Sequence, residues 1–252
     1  MSDARPDEDY QDAFARIERR VEAGDADLSE LGFWRLVRKV KVEPALAAHW
    51  ADDCGRIDRM AFERRVRPRF PVWLGNALLL VGSIVLVALV PAALAIARGE
   101  WLFERPNPLV AGILAVVAAG GLSVTTHDLA HWVVGRLAGI RFIAYFLDGP
   151  TRIQPGLKTD YETYLKASPG SRAAMHAAGA IASKIAPFAV FVAVYLPHRA
   201  SGYGLLPAWS VWTILAIGVV QLLTDILWST KTSDWKKVRR EARLGRAQRH
   251  RR

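Results

Sequence analysis

Apolar positions follow two regimes along the chain. Over the first seventy residues they are sparse and recur at helical spacing: Tyr10, Phe14, Ile17 and Val21 mark one face, with Gly24 as a stop. Ser29 can cap a second helix carrying Leu31, Phe33, Trp34, Leu36 and Val37. Pro44 can open a third with Leu46, Ala47 and Trp50, which Gly55 breaks before Ile57, Met60 and Phe62. From residue 72 onward the apolar positions fuse into four continuous runs, 72–97, 108–134, 173–196 and 205–228. A bilayer core of about 30 Å takes roughly 20 helical residues, so each run is long enough to cross it. Between the second and third runs, residues 141–147 alternate weakly and lead into Asp148-Gly149-Pro150, as a short strand or re-entrant edge would. Such an edge could pair with an extended peptide.

The predicted fold is an all-α membrane protein of about four transmembrane helices. It divides into a cytosolic helical module (1–70), a four-span membrane domain (71–230) and a basic cytosolic tail (231–252). Composition agrees: 52% of the 252 residues are hydrophobic although 23% are charged, so charge is concentrated outside the runs. From Lys231 onward ten Lys and Arg face only Asp234 and Glu241, which accounts for most of the formal net charge of +10. A polybasic segment directly after a span fits anionic lipid, and no aromatic-basic interleaving points to nucleic acid. The segment 33–41 mixes basic and apolar residues as an interfacial helix does, and equally as a solvated helix packed on its neighbours does. The first seventy residues hold no apolar leader, so the first span is expected to act as its own signal-anchor.

Orientation follows from basic residues near the span ends. Arg59, Arg64, Arg65, Arg67 and Arg69 precede the first span; Arg136, Arg141, Arg152, Lys158 and Lys166 lie between the second and third; the tail carries its ten. With four spans all three groups fall on one side, which places both termini in the cytosol and the protein in the plasma membrane.

The second run ends in Thr126-His127-Asp128-Leu129-Ala130-His131, where hydrocarbon contact would favour apolar residues. Ionisable groups at such depth are costly and mark function. On a helix, His127 and His131 share one face a turn apart, an arrangement that can grip one cation. His131 lies about three and His127 about seven residues from the cytosolic end, a depth of roughly 5 to 10 Å. Asp225, on the fourth run, lies at a matching level, and so does His176 on the third. His176 could donate to a ligand, occupy an open metal position or stabilise an oxyanion, or it could simply bond a backbone carbonyl. Lys184 sits deeper in the same run, where it could pair with a carboxylate or extend its amine towards the interface. Small residues at 179–183, with Gly120 and Gly121, allow close helix approach. Cys54 is the only cysteine, so any metal site must be built from histidines and carboxylates.

His127-Asp128-Leu129-Ala130-His131 resembles the HExxH signature of zinc metallopeptidases with Asp in place of Glu, and its setting inside a small multi-span protein resembles the site-2 protease family of intramembrane metalloproteases. The resemblance covers roughly residues 108–230, and only the five-residue motif is sharp. It implies Zn2+ held by His127, His131 and Asp225, with Asp128 as the general base that activates water for cleavage of a membrane-embedded peptide. Asp225 takes its role by depth and span order, because Ile217, Val220 and Ile226 stand where the family has Asn, Pro and Gly. Asp148 is the rival ligand: Leu147-Asp148-Gly149 matches a family tripeptide, although it lies in a connection only seventeen residues after His131. Asp234, past the last run, reads as a helix cap or surface residue. The substrate implied is a membrane protein.

Asp128 is one methylene shorter than Glu, and positioning errors near 1 Å can cost about a hundredfold in rate. A catalytically inactive relative acting as a membrane adaptor is therefore the alternative. A di-iron oxygenase would need more histidines than the three in the cluster, and a proton or ion conductor would be expected to show repeats that are absent here.

Overall fold

The two regimes of apolar patterning reappear in the computed structural model, which describes residues 6–100, 105–147, 155–227 and 233–250, without the side chains of 6–8 and 225–227. In chain order the elements are α1 (Pro6–Glu22), α2 (Phe33–Val40), α3 (Pro44–His49), α4 (Ala51–Arg65), β1 (Arg69–Phe70), α5 (Val72–Arg98), α6 (Pro108–Leu137), β2 (Phe142–Phe146), β3 (Gly156–Thr159), α7 (Tyr161–Lys166), α8 (Pro169–Ala200), α9 (Ala208–Leu227) and α10 (Asp234–Arg249). They form two compact units, one within Met1–Val72, Gly135–Arg172 and Arg240–Arg252, the other within Trp73–Val134 and Ala173–Arg239.

The first unit is built on the amphipathic pattern of its short helices. Phe14, Ile17 and Val21 of α1, Phe33, Val37 and Val40 of α2, and Ala51, Cys54, Ile57 and Ala61 of α4 meet in one core with Leu165 of α7. Full burial of such side chains stabilises by about 1.5–3 kcal/mol each. Phe33 and Val40 are wholly enclosed, so one face of α2 packs in the core of its neighbours. It starts later than Ser29: Asp27 accepts the N–H of Ser29 in a turn, and Gly32, at φ 73°, makes the left-handed entry that a side chain would strain. Nor does Gly55 break α4, which runs through it; a Cβ there would lie 2.7 Å from Cβ of Glu162, so the glycine admits α7 against α4.

The helical class holds with one addition. β2 pairs antiparallel with β1 on one edge and β3 on the other, realising the strand expected at 141–147, and Lys158 of β3 reaches Asp58 of α4 at 2.7 Å. Asp148 lies outside the described residues.

The basic tail contains α10, whose Glu241 is fully buried in the first unit. Arg172 donates to it at 2.7 Å, Tyr164 Oη donates at 3.2 Å, and Lys41 pairs with it as well. Arg172 also donates to the carbonyls of Leu165 and Ala167, which the end of α7 leaves unpaired. Burial opposes ionisation of Glu241, but the charges of Lys41 and Arg172 hold its carboxyl below the ordinary glutamate range.

In the second unit α5, α6 and α8 are each long and apolar enough to cross a membrane. Only 11% of the most apolar stretch of α5 is buried within the protein, and Leu78, Val81, Ile84 and Val85 stand more than half exposed, a surface that needs lipid. Over the described side chains the apolar part of α9, Ala208–Thr224, is shorter than a span. One end of this bundle is filled by small and branched residues, among them Ala93, Ala97, Ala111, Ala115, Val190, Val194 and Ile214. Alanines allow the close backbone approach on which helix association in lipid depends.

Replacing Glu241 with Gln leaves Arg172 and Lys41 buried without a counter-charge, a change that typically costs about 3–5 kcal/mol. The full-length variant should melt at a clearly lower temperature in detergent, and an unchanged melt would show that the cluster does not hold the unit. Because the folded carboxyl titrates below its ordinary value of 4.5, its stabilisation is present above that pH and fades as acidification carries the solution down towards the folded value.

Candidate metal centre

The second unit places three histidines and a carboxylate at the end of the bundle opposite its alanine-rich core. His127 and His131 come from the last turns of α6, His176 from the second turn of α8, and Asp234 from the first residue of α10. The helical spacing of the motif does what the sequence required: the two α6 rings share a face, 4.6 Å apart and perpendicular.

Nε2 of His127, Nε2 of His131 and Oδ2 of Asp234 form a nearly equilateral triangle, with sides of 3.2 Å between the nitrogens and 3.3 and 3.2 Å from the carboxylate to His127 and His131. Zinc with ligand bonds near 2.0–2.1 Å sets neighbouring tetrahedral ligands about 3.3 Å apart, whereas octahedral geometry at that bond length gives about 2.9 Å. The triangle has the dimensions of one face of a tetrahedron, which leaves a fourth vertex for water or substrate.

Hydrogen bonding fixes the chemistry of His131. Its Nδ1 lies 2.7 Å from the carbonyl oxygen of Met175, which can only accept, so Nδ1 carries the proton. In the neutral ring Nε2 then presents a lone pair to a carboxylate oxygen that offers only lone pairs. A divalent cation satisfies all three atoms together. Without one, an Nε2–H of His127 can donate to only one of the other two atoms, and His131 and Asp234 still meet lone pair to lone pair. The donor set and its dimensions therefore fit a zinc-like ion.

Two features hold the ligands in place. A Cβ on Gly179 would lie 2.3 Å from Nε2 of His131, so only glycine lets the ring lie against α8, one turn beyond the Met175 carbonyl that orients it. The outer oxygen of Asp234, Oδ1, accepts from Lys237 Nζ at 3.0 Å, with His176 Nδ1 at 3.6 Å. Burial disfavours the charge on Asp234, but the histidines beside it and the charge of Lys237 hold its carboxyl well below the usual carboxylate range. It is thus anionic, as a ligand must be.

Asp128, beside His127 on α6, is 5% exposed, and its Oδ2 has no hydrogen-bond partner among the described residues. A buried carboxylate oxygen without a donor is costly, and a water held at the open vertex is a donor of the kind it lacks. The side chain of Asp225 lies outside those described. The reading of Asp234 as a cap or surface residue is corrected: its side chain is 15% exposed and reaches all three histidines. Depth counting passed it over because it lies beyond the last apolar run. The available signal was its place at the start of a helix a few residues past that run. His176, one of the open possibilities, joins the cluster through Asp234. Lys184 lines an apolar groove of about 750 Å3 with Ile181, Ile185, Phe188, Leu222 and Trp235. Compared with family models, curated proteins and solved structures, the chain has no match.

Changes to groups that orient a metal ligand typically cost 10- to 100-fold in affinity. If the cluster holds a divalent ion, Gly179→Ala should weaken its binding by about that much in a chelator competition, with the helical signal unchanged, because the added methyl must displace the His131 ring. Wild-type affinity in this variant would show that the contact with α8 does not position the ligand.

Proposed function

We propose that the chain is a site-2-protease-like intramembrane zinc metallopeptidase in which His127, His131 and Asp234 hold the metal. The observation that carries this reading is the triangle of Nε2, Nε2 and Oδ2 at 3.2–3.3 Å, with the lone pair of His131 fixed by Met175. The HDxxH motif, set in a helix long and apolar enough to span a membrane, agrees with it. Four spans, with α9 as the last, put both termini in the cytosol and the site near the cytosolic face of the plasma membrane, where its substrate is a membrane protein.

Zinc held by His127, His131 and Asp234 would supply an acidified water and polarise a peptide carbonyl. Asp128 would take the proton from the attacking water and pass it to the leaving amine, so that water adds to the carbonyl carbon and the amide C–N bond breaks to a carboxylate and an amine. Lys237 and His176 hold the outer oxygen of Asp234 and keep its inner oxygen on the metal side. The lone pairs could instead be satisfied in a metal-binding protein without catalysis. The shorter reach of Asp128 favours that second reading, a membrane adaptor that keeps its cation.

The test is metal content and cleavage on one preparation. The full-length protein should hold about one zinc, lost in His127→Ala, His131→Ala and Asp234→Ala and kept in Asp225→Ala. Unaltered zinc in the histidine variants would remove the metal reading, and loss in Asp225→Ala alone would transfer the third ligand to that residue. Cleavage of a model transmembrane peptide should vanish in Asp128→Asn while zinc stays bound; zinc without cleavage in the wild type would establish the adaptor.

A further inference from the structure

The first unit gathers guanidinium groups at one solvent-facing cavity, independently of the metal reading. A cavity of about 600 Å3 lies against α4, the segment after it and α7, and five arginines line it against three carboxylates. Two of those carboxylates are engaged by other cations, Asp52 with Lys166 at 2.7 Å and Glu162 with Arg141 at 3.1 Å and Lys166 at 3.0 Å, and the third is the exposed Glu63. Among the arginines, Arg56 pairs with Glu18 and Asp53, and Arg59 approaches Asp160 at 3.5 Å. Arg64, Arg67 and Arg69 have no ion-pair partner among the described residues, yet all three face the same cavity.

Their convergence is built by the fold. Arg64 stands on the last turn of α4. Arg69 is pinned by the pairing of β1 with β2, opposite Phe146, and its guanidinium lies 6.0 Å over the ring of Phe62. Arg67 lies between them. The close approach at Gly55 brings Glu162 of α7 to the cavity wall. Orientation in the membrane requires positive charge on one side, but not that guanidinium groups be gathered around one cavity against their mutual repulsion. An anion that accepts from several guanidiniums removes that cost, and the planar fork of arginine matches a phosphate in bidentate fashion. The volume lies in the range of small-ligand sites. Arg69 is three residues from the start of α5, so no more than about 10 Å of extended chain separates it from the first span.

We propose that this cavity binds a phosphate monoester, carried by a membrane lipid or by a soluble phosphate compound, through Arg64, Arg67 and Arg69. A monoester carries close to two negative charges and three acceptor oxygens, against one charge on the diester of an ordinary phospholipid.

The test uses full-length protein in phosphatidylcholine nanodiscs. Lipid retention is read by native mass spectrometry with phosphatidic acid or phosphatidylglycerol added, and glycerol phosphate is titrated calorimetrically into discs lacking both. Phosphatidic acid should be retained in preference to phosphatidylglycerol. Arg64→Lys/Arg67→Lys/Arg69→Lys, which keeps charge and orientation, should lose that preference. The corresponding triple Gln variant should bind at least about tenfold more weakly, since one charge-assisted hydrogen bond is worth about that factor. Arg243→Gln/Arg246→Gln/Arg249→Gln, which discharges α10, should bind as the wild type does. Binding of phosphatidic acid alone identifies a lipid ligand, and binding of glycerol phosphate as well identifies the headgroup as sufficient; either upholds the site. Equal retention of the two lipids, undiminished preference in the Lys variant, or a loss that follows the α10 variant would overturn it.

Discussion

The lone pair on Nε2 of His131 is the constraint around which the second unit is arranged. Met175 takes the Nδ1 proton into a 2.7 Å hydrogen bond, and the other nitrogen is left facing a carboxylate oxygen and a second imidazole. In water such atoms would be solvated separately; brought to 3.2 Å in a largely buried site, they repel unless a proton or a cation joins them. The same constraint explains the local backbone. The helix α8 must come close enough to orient the ring, and Gly179 is the residue that permits it.

The remainder of the second unit makes that polar end affordable. Its opposite end is packed with alanines and branched aliphatics, while α5 turns leucine, valine and isoleucine outward. Helices in lipid gain little from hydrophobic association and depend on close packing and on interhelical polar contacts. Ser83 of α5 donates to Thr125 of α6 at 2.8 Å, only two residues before His127. Such contacts fix the rotation of α6, and with it the direction in which the two histidines point.

Much of this was legible in the sequence for a plain reason: a long apolar run has few structural options in a bilayer, and α5, α6 and α8 extend the expected runs by only a few residues. The pairing of His127 with His131 followed from helical spacing alone. Asp234 did not, because it lies beyond the last apolar run, where counting depth along the spans does not reach. The strand at 142–146 was visible as weak alternation, but its partners were not, since β1 and β3 have two and four residues and little pattern to read. Gly55 misled for a related reason: a helix tolerates glycine where another element must come close, and sequence cannot distinguish that use from a break.

The clusters of charge in this protein differ in how far each is satisfied from within, and the difference tells them apart. Glu241 is enclosed completely, with two cations and a tyrosine hydroxyl supplied by the protein, so it requires nothing from outside and is structural. The histidines and Asp234 bring acceptors together in excess of donors, the imbalance that a cation corrects. Arg64, Arg67 and Arg69 bring donors together in excess of acceptors, the imbalance that an anion corrects. The first imbalance lies in a largely buried site and the second on guanidinium groups that face solvent, with Arg64 and Arg67 exposed. Residues that repel one another are retained at one place in a fold when a ligand of opposite charge repays the cost, and the sign of the excess then states which kind of ligand it is.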